Sequence, residues 1–482
     1  MRLPNAALGL PLRPLAAAFA LALAIDGNAV APAHATPRRP DAIVVQNCDD
    51  AGAGSLRAAV DSAADGDTID LTQLQCSTIS LSTGAILIGV ADLTLQGPGN
   101  HQLTLDGVDD YGWSLLYDIG GGTLAIDGLD LAFGSKYRSD NIARGGCVYT
   151  NGNLRLNDSH VSFCGVHANT YAAAGGALYA YGSATITYSQ IDTAGLTTQG
   201  DARGGCVFAH GGVTLAYSAV SGCRNATPSH GFGGGVYSGG PLVVKYSTIA
   251  ANGNDDAASG IGGGVYVRGD ATVMWSTISG NRATVGGGIA LVDDGSGASS
   301  ASVVDSTVSG NVAHAAAGIA AGTPLDLENS TVAFNMAYVP NTTPLDYAWS
   351  GGLAVRASGV TITSSILANN TVTHQNGSVE NADVGGDVPI PVGGSANLVM
   401  SSGQPLPPDT IAADPLLQPL ARNGGLTMTH ALAAGSPAMD HGVSDNWSWD
   451  QRGAGFPRVQ NGVADIGAYE VDPDLIFRNG FD

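Results

Sequence analysis

Eight copies of one short unit occupy the middle of the chain, and no other feature limits its fold as sharply. Gly145-Gly146-Cys147-Val148-Tyr149 returns as Gly175-Gly176-Ala177-Leu178-Tyr179, Gly204-Gly205-Cys206-Val207-Phe208, Gly233-Gly234-Gly235-Val236-Tyr237 and Gly262-Gly263-Gly264-Val265-Tyr266. Looser copies begin at Gly286, Ala316 and Ser350, so successive starts lie 30, 29, 29, 29, 24, 30 and 34 residues apart. A fixed period of this length marks stacked architectures, in which each unit buries its apolar face on its neighbours.

Aligned on their first residues, the copies fall into columns. Position three is always aliphatic: Val148, Leu178, Val207, Val236, Val265, Ile289, Ile319 and Leu353. Position fourteen, allowing for insertions, is serine in every copy: Ser159, Ser189, Ser218, Ser247, Ser276, Ser306, Ser330 and Ser365. An aliphatic residue follows two places later. Position nineteen is asparagine at Asn252, Asn281, Asn311, Asn335 and Asn369, which suits a corner residue. Short period-two runs between Gly and Asn turns are strand signals, three per copy. Three strands per copy describe one coil of an all-β, right-handed parallel β-helix. The less regular alternation from Ile79 to Phe133 brings the expected total to about 11–12 coils at one strand spacing each. Ser55 to Ala64 reads as a short helix capped at Ser55, covering the open amino-terminal end of the solenoid.

Outside the repeat, composition and local signals divide the chain further. The formal net charge of −22 argues against nucleic acid and anionic membranes as partners. Arg2 and Arg13, an apolar run from Leu15 to Ile25 and Ala33-His34-Ala35 make residues 1–35 an expected export signal, leaving no membrane-spanning segment in a mature, monomeric chain. Residues 36–76 then form the amino-terminal strand and helix, 77–376 the solenoid, 377–411 an irregular connector, 412–471 a carboxy-terminal cap and 472–482 a tail.

Six cysteines in an exported chain are expected to form disulfides. Cys147 and Cys206 hold position two, and Cys164 and Cys223 hold position nineteen, each pair within one copy. The expected bonds are Cys147–Cys164 and Cys206–Cys223, with Cys48–Cys76 as the remainder. Bonds between successive coils are the competing scheme.

Two aromatic columns are the candidate binding residues. Position four holds Tyr149, Tyr179, Phe208, Tyr237 and Tyr266; position thirteen holds Tyr188, Tyr217, Tyr246 and Trp275. Such stripes can stack sugar rings, or can merely stabilise one face of the solenoid. Candidates for catalysis are few: the adjacent pairs Asp255-Asp256 and Asp293-Asp294 lie in inserted loops, where aspartate is commonly a turn residue. Neither the paired-Asp and His-Gly arrangement of polygalacturonases nor the Arg-x-Pro-x-x-Arg element of pectate lyases is present, and the ten histidines share no column.

Three resemblances accompany these readings. Gly54-Ser55-Leu56-Arg57-Ala58-Ala59-Val60 followed by Gly66-Asp67-Thr68-Ile69 resembles the C-S-L-R-E-A-I-type amino-terminal segment of exported β-helix proteins, with Gly54 and Ala58 departing from it. The repeats, clearest at Ser276-Thr277-Ile278-Ser279-Gly280-Asn281, resemble those of polymorphic outer-membrane proteins. Asp414-Pro415-Leu416-Leu417, Asn423-Gly424-Gly425-Leu426-Thr427-Met428-Thr429-His430-Ala431-Leu432, Gly435-Ser436-Pro437-Ala438-Met439-Asp440, Asp450-Gln451-Arg452-Gly453 and Asp465-Ile466-Gly467-Ala468-Tyr469-Glu470 resemble, in order, the domain called choice-of-anchor Q. That last resemblance implies secretion or display at the bacterial cell surface. Within the same region, Arg452 and Arg458 among Asp440, Asp450, Asp465 and Glu470 suggest a partly buried ion-pair network, with a Ca²⁺ site on those carboxylates as the alternative. No other cofactor is expected. The function expected is a non-catalytic exported fibre that binds polysaccharide or cell-surface components, and the alternative is a β-helix polysaccharide lyase or glycoside hydrolase.

Overall fold

The computed structural model describes residues 41–99, 101–108, 112–139, 141–254, 259–338, 350–444, 447–460 and 462–472. The expected signal, the tail from 473 onward and the pair Asp255-Asp256 lie outside them. Within them the chain winds as a parallel β-solenoid whose three long sheets contain 11, 13 and 12 strands. The first copy shows the pattern: Val148–Thr150 lies in the first sheet, Asn153–Asn157 in the second and His160–Ser162 in the third. The position-three column runs unbroken through the first sheet, Val148 opposite Leu178, Leu178 opposite Val207, and onward to Leu353. Stacked aliphatic columns from the three sheets form one continuous core. At the amino-terminal end a helix, Leu56–Ser62, has Ser55 as its cap, with the Ser55 hydroxyl accepting the Ala58 N–H. It buries Leu56, Ala59 and Val60 against that core.

Two polar ladders run inside the solenoid, parallel to its axis. In one, the backbone N–H of each column serine donates to the hydroxyl of the next, from Ser159 through Ser365, at 3.0–3.2 Å. These hydroxyls also donate to carbonyls two residues earlier, so a buried polar column is fully used. In the other, the amides of Asn252, Asn281, Asn311, Asn335 and Asn370 hydrogen-bond in sequence at 2.8–2.9 Å, and Asp383 ends the row. The last rung is Asn370 rather than Asn369. Counting five residues on from the column serine gives it directly, whereas Asn369 has φ +58° and turns the chain.

The asparagine column explains the glycine column. A Cβ added at Gly235, Gly264, Gly288, Gly318 or Gly352 would lie 2.8–3.1 Å from the amide nitrogen of Asn252, Asn281, Asn311, Asn335 or Asn370. Where position nineteen is not asparagine, position two is not glycine: Ala177 accompanies Ala194, and cysteines occupy both places in two copies. The structure contains the disulfides Cys147–Cys164 and Cys206–Cys223, each bridging these two columns within one coil, together with Cys48–Cys76. Disulfide and asparagine are thus alternative fillings of one internal corner.

Two departures from a three-strand coil shape the surface. Several copies carry a fourth and a fifth strand, such as Gly165–Ala168 and Ala173–Ala174, which form two short sheets beside the solenoid. The carboxy-terminal region, moreover, runs along the outer face of the third sheet. Thr277 donates to the Met428 carbonyl, Thr307 to Gln451 and Ser309 pairs with His430, while Thr331 accepts from the Ala468 N–H and Gly467 donates to the Ser364 carbonyl. Burial lowers the His430 pKa, which favours a neutral ring held between Ser309 and the Gln418 carbonyl. Ile366, Ala368, Leu432, Ala438 and Ile466 form a separate small core beneath this region.

Candidate functional site

The two aromatic columns have opposite fates. At position four the rings stack, with centroids 4.8–5.2 Å apart from Tyr149 through Tyr179, Phe208 and Tyr237 to Tyr266. They point away from the aliphatic core, yet the flanking strands lie over them. Ala174 packs against the stack, and the Arg144 guanidinium sits 5.3 Å from the Tyr179 ring centre. Tyr149, Tyr179, Phe208 and Tyr266 are 5–9 % exposed, and Tyr237 is half-buried. Of these five candidates for ligand contact, four are therefore buried beneath the flanking strands and Tyr237 is partly covered. Period-two alternation identified their direction correctly but carried no information about the strands that cover them.

Position thirteen is a turn residue between the second and third sheets, with left-handed backbone in every copy. Tyr188, Tyr217, Tyr246 and Trp275 have φ of +48° to +53°. Their rings stack at 5.0, 4.9 and 4.8 Å, nearly parallel, and Trp447 closes the row edge-on against Trp275 at 5.5 Å. Tyr188 is 59 % exposed and Tyr217 41 %, while Tyr246 and Trp275 are half-buried. Burial raises the Tyr246 phenol above its ordinary pKa, leaving a neutral donor at neutral pH.

Beside this row lies a groove of about 600 Å³, floored by Gln190, Ala219 and Thr248 of the third sheet and walled by Arg422 and Leu426. The groove exists because the carboxy-terminal region covers the third sheet only from Thr277 onward. The outward residues Thr277, Thr307 and Thr331 are buried, whereas Gln190, Ala219 and Thr248 are not. Because the stacked rings cover one another's faces, the row lines the groove with ring edges. Sugar-face stacking is therefore confined to the end of the row at Tyr188, where the next rung is Asp158. Arg422 and Leu426 were not found from the sequence, since they come from a segment without the period.

The described acidic candidates, Asp293 and Asp294, do not line the groove. Asp293 and Asp294 are exposed in a loop, where Asp293 accepts the N–H groups of Gly295 and Gly297 and Asp294 that of Ser296. Hydrogen bonds from Ser296 hold the Asp294 carboxyl below its ordinary pKa, opposite to what a proton donor near neutral pH requires.

In the carboxy-terminal region, Arg452 reaches the Asp450 carboxylate through Nε and Nη2, at 2.6 Å for the closer contact. Its guanidinium lies between the rings of Phe456 and Tyr469, at 4.2 and 3.9 Å from their centres. Arg458 donates to the carbonyls of Asp465 and Gly467. Asp465 accepts the N–H groups of Asp440 and Val471, and Glu470 those of Gln460 and Asp465. Burial is the main reason the pKa of Glu470 is pushed up to about 8. A cation there would have to displace these donors, and the Asp440 residue is exposed at the edge of the cluster.

Compared with protein-family models, with curated proteins and with solved structures, the chain matches none. The architecture class is a disulfide-containing parallel β-solenoid, and no helix among the described residues is long and apolar enough to cross a membrane.

Proposed function

We propose that this protein is an exported β-solenoid that binds glycan or surface components in the groove beside Tyr188, Tyr217 and Tyr246, without transforming them. The observation that carries this reading is the energetic cost of the row. A non-glycine residue in the left-handed region costs about 1–2 kcal/mol, and an aromatic pair returns about 0.5–1.5 kcal/mol. The row therefore gains little stability, and Asp158 and Asn329 occupy the same column with residue types that tolerate that backbone. Rings retained at an exposed corner, facing a groove with an arginine, fit a ligand with both apolar and hydroxyl edges, and Arg422 adds a preference for acidic sugars. The disulfides are consistent with an oxidising compartment. With the amino-terminal and carboxy-terminal resemblances, they support secretion or surface display.

A polysaccharide panel scored for both binding and product release tests the reading. Tyr188→Asn and Tyr217→Asn remove the rings while suiting the left-handed backbone, and each should weaken binding at least ~10-fold, equivalent to about 1.4 kcal/mol. Unchanged binding in both variants would remove the groove from the account. Release of shortened or unsaturated product would favour the lyase or hydrolase alternative.

A further inference from the structure

On the same open face of the third sheet, starting one rung from Gln190 toward the amino terminus, the geometry points to a binding site for a first-row divalent metal ion at His101, Asp130 and His160. One nitrogen from each imidazole and one oxygen of Asp130 all lie within 4.8 Å of one another. Asp130 and His160 occupy adjacent rungs of one outward column, which strand pairing places next to each other. His101 reaches the cluster from a turn with φ +66°. Its backbone N–H and that of His160 both donate to Asp130 Oδ1, at 3.3 and 3.1 Å. One carboxylate oxygen is thereby anchored, and the other, Oδ2, lies 3.0 Å from His101 Nδ1.

The surroundings match what a metal-binding imidazole needs. His160 Nε2 lies 2.9 Å from Asp192 Oδ2, and Gln190 donates to that same oxygen. A carboxylate that orients an imidazole, and is itself held by a further donor, is the support that metal-ligating histidines carry. Donors bound at about 2.0–2.2 Å from one ion lie roughly 3–4 Å apart, which small side-chain rotations reach from the observed spacing. Imidazole and carboxylate without thiolate suit Zn²⁺, Ni²⁺, Cu²⁺ or Fe²⁺ rather than Ca²⁺. The exposed His101 leaves the remaining coordination positions to water. A bound ion would tie the turn at His101 to two successive rungs of the sheet.

The test uses the full disulfide-bonded chain without a histidine tag, titrated calorimetrically with Zn²⁺. A single saturable equivalent is expected, with a raised apparent Tm that a chelator reverses. His101→Ala and His160→Ala should abolish that equivalent, and Asp192→Asn should weaken it ~10–100-fold while keeping its stoichiometry. His167→Ala, an exposed histidine outside the cluster, should bind as the parent does. Circular dichroism confirms that each variant is folded. A parent that takes up no Zn²⁺ at one equivalent, or cluster variants that bind like the parent, would overturn the assignment.

Discussion

Replacing Gly264 and Asn281 together should cost less than the two single changes suggest. The Asn281 amide donates to the Ile249 carbonyl at 3.0 Å and to Asn311 Oδ1 at 2.9 Å. Its oxygen accepts the N–H and the side-chain amide of Asn252, at 3.0 and 2.9 Å. Asn281→Ala removes all four bonds, and at about 1 kcal/mol each the loss is about 4 kcal/mol. Gly264→Ala alone places a methyl 2.9 Å from the Asn281 amide nitrogen and 2.7 Å from the Gly288 carbonyl oxygen, an overpacking worth about 1–3 kcal/mol. The double variant recreates the Ala177 and Ala194 pair of the second copy: the amide clash disappears, the new methyl fills part of the vacated space, and only the contact with Gly288 remains. It should be less destabilised than the sum of the singles by about 1–2 kcal/mol. Gly264→Cys with Asn281→Cys goes further, recreating the arrangement of Cys147 and Cys164, and should recover about 3 kcal/mol through the closed loop. Guanidinium unfolding followed by far-ultraviolet circular dichroism measures the cycle, and hydrogen exchange at residues 249–311 localises it. Additivity within about 0.5 kcal/mol would refute the argument that these two columns select one another.

The carboxy-terminal region should lose stability as pH rises. Glu470 has a folded pKa of about 8 against an ordinary 4.5, so its contribution is complete below pH 4.5 and is lost on the way to pH 8. Roughly 3–5 kcal/mol is at stake from the size of that shift, and Glu470→Gln should flatten the pH dependence of exchange at residues 427–470. Arg452→Ala strands the buried Asp450 carboxylate and should cost ~3–5 kcal/mol, exposing this region to protease while the first coils stay folded. At the other end, burial tends to raise the Asp50 pKa, but hydrogen bonds from Arg57, Thr83 and Ser82 outweigh it and hold the value at about 2. That stability is present above the unfolded value of 3.8 and lost as pH falls toward 2. Allowing for solvent screening, it amounts to about 1–2 kcal/mol, and Asp50→Asn should remove that part of the acid sensitivity in pH-dependent unfolding.

The sequence by itself determined the coil, its inward columns, the serine ladder and the pairing of the cysteines. The first three depend on a residue meeting its equivalent one period away, and the two disulfides of the repeat join two columns within one coil, so column position is enough to specify the contact. Even the glycine and asparagine exchange at positions two and nineteen is written in the copies, although its cause, a methyl-sized space, needs coordinates. What the period could not decide was which outward column stays open. Tyr149 and Tyr188 look equally available in the sequence, but flanking strands cover the first and leave the second at the surface. Arg422 and Leu426 reach the groove from a segment without the repeat, and His101 meets His160 through a turn in the irregular early coils. Inward packing is set by nearest-neighbour stacking, whereas the open surface is set by distant segments folding back onto the solenoid, and only the tertiary structure brings those together.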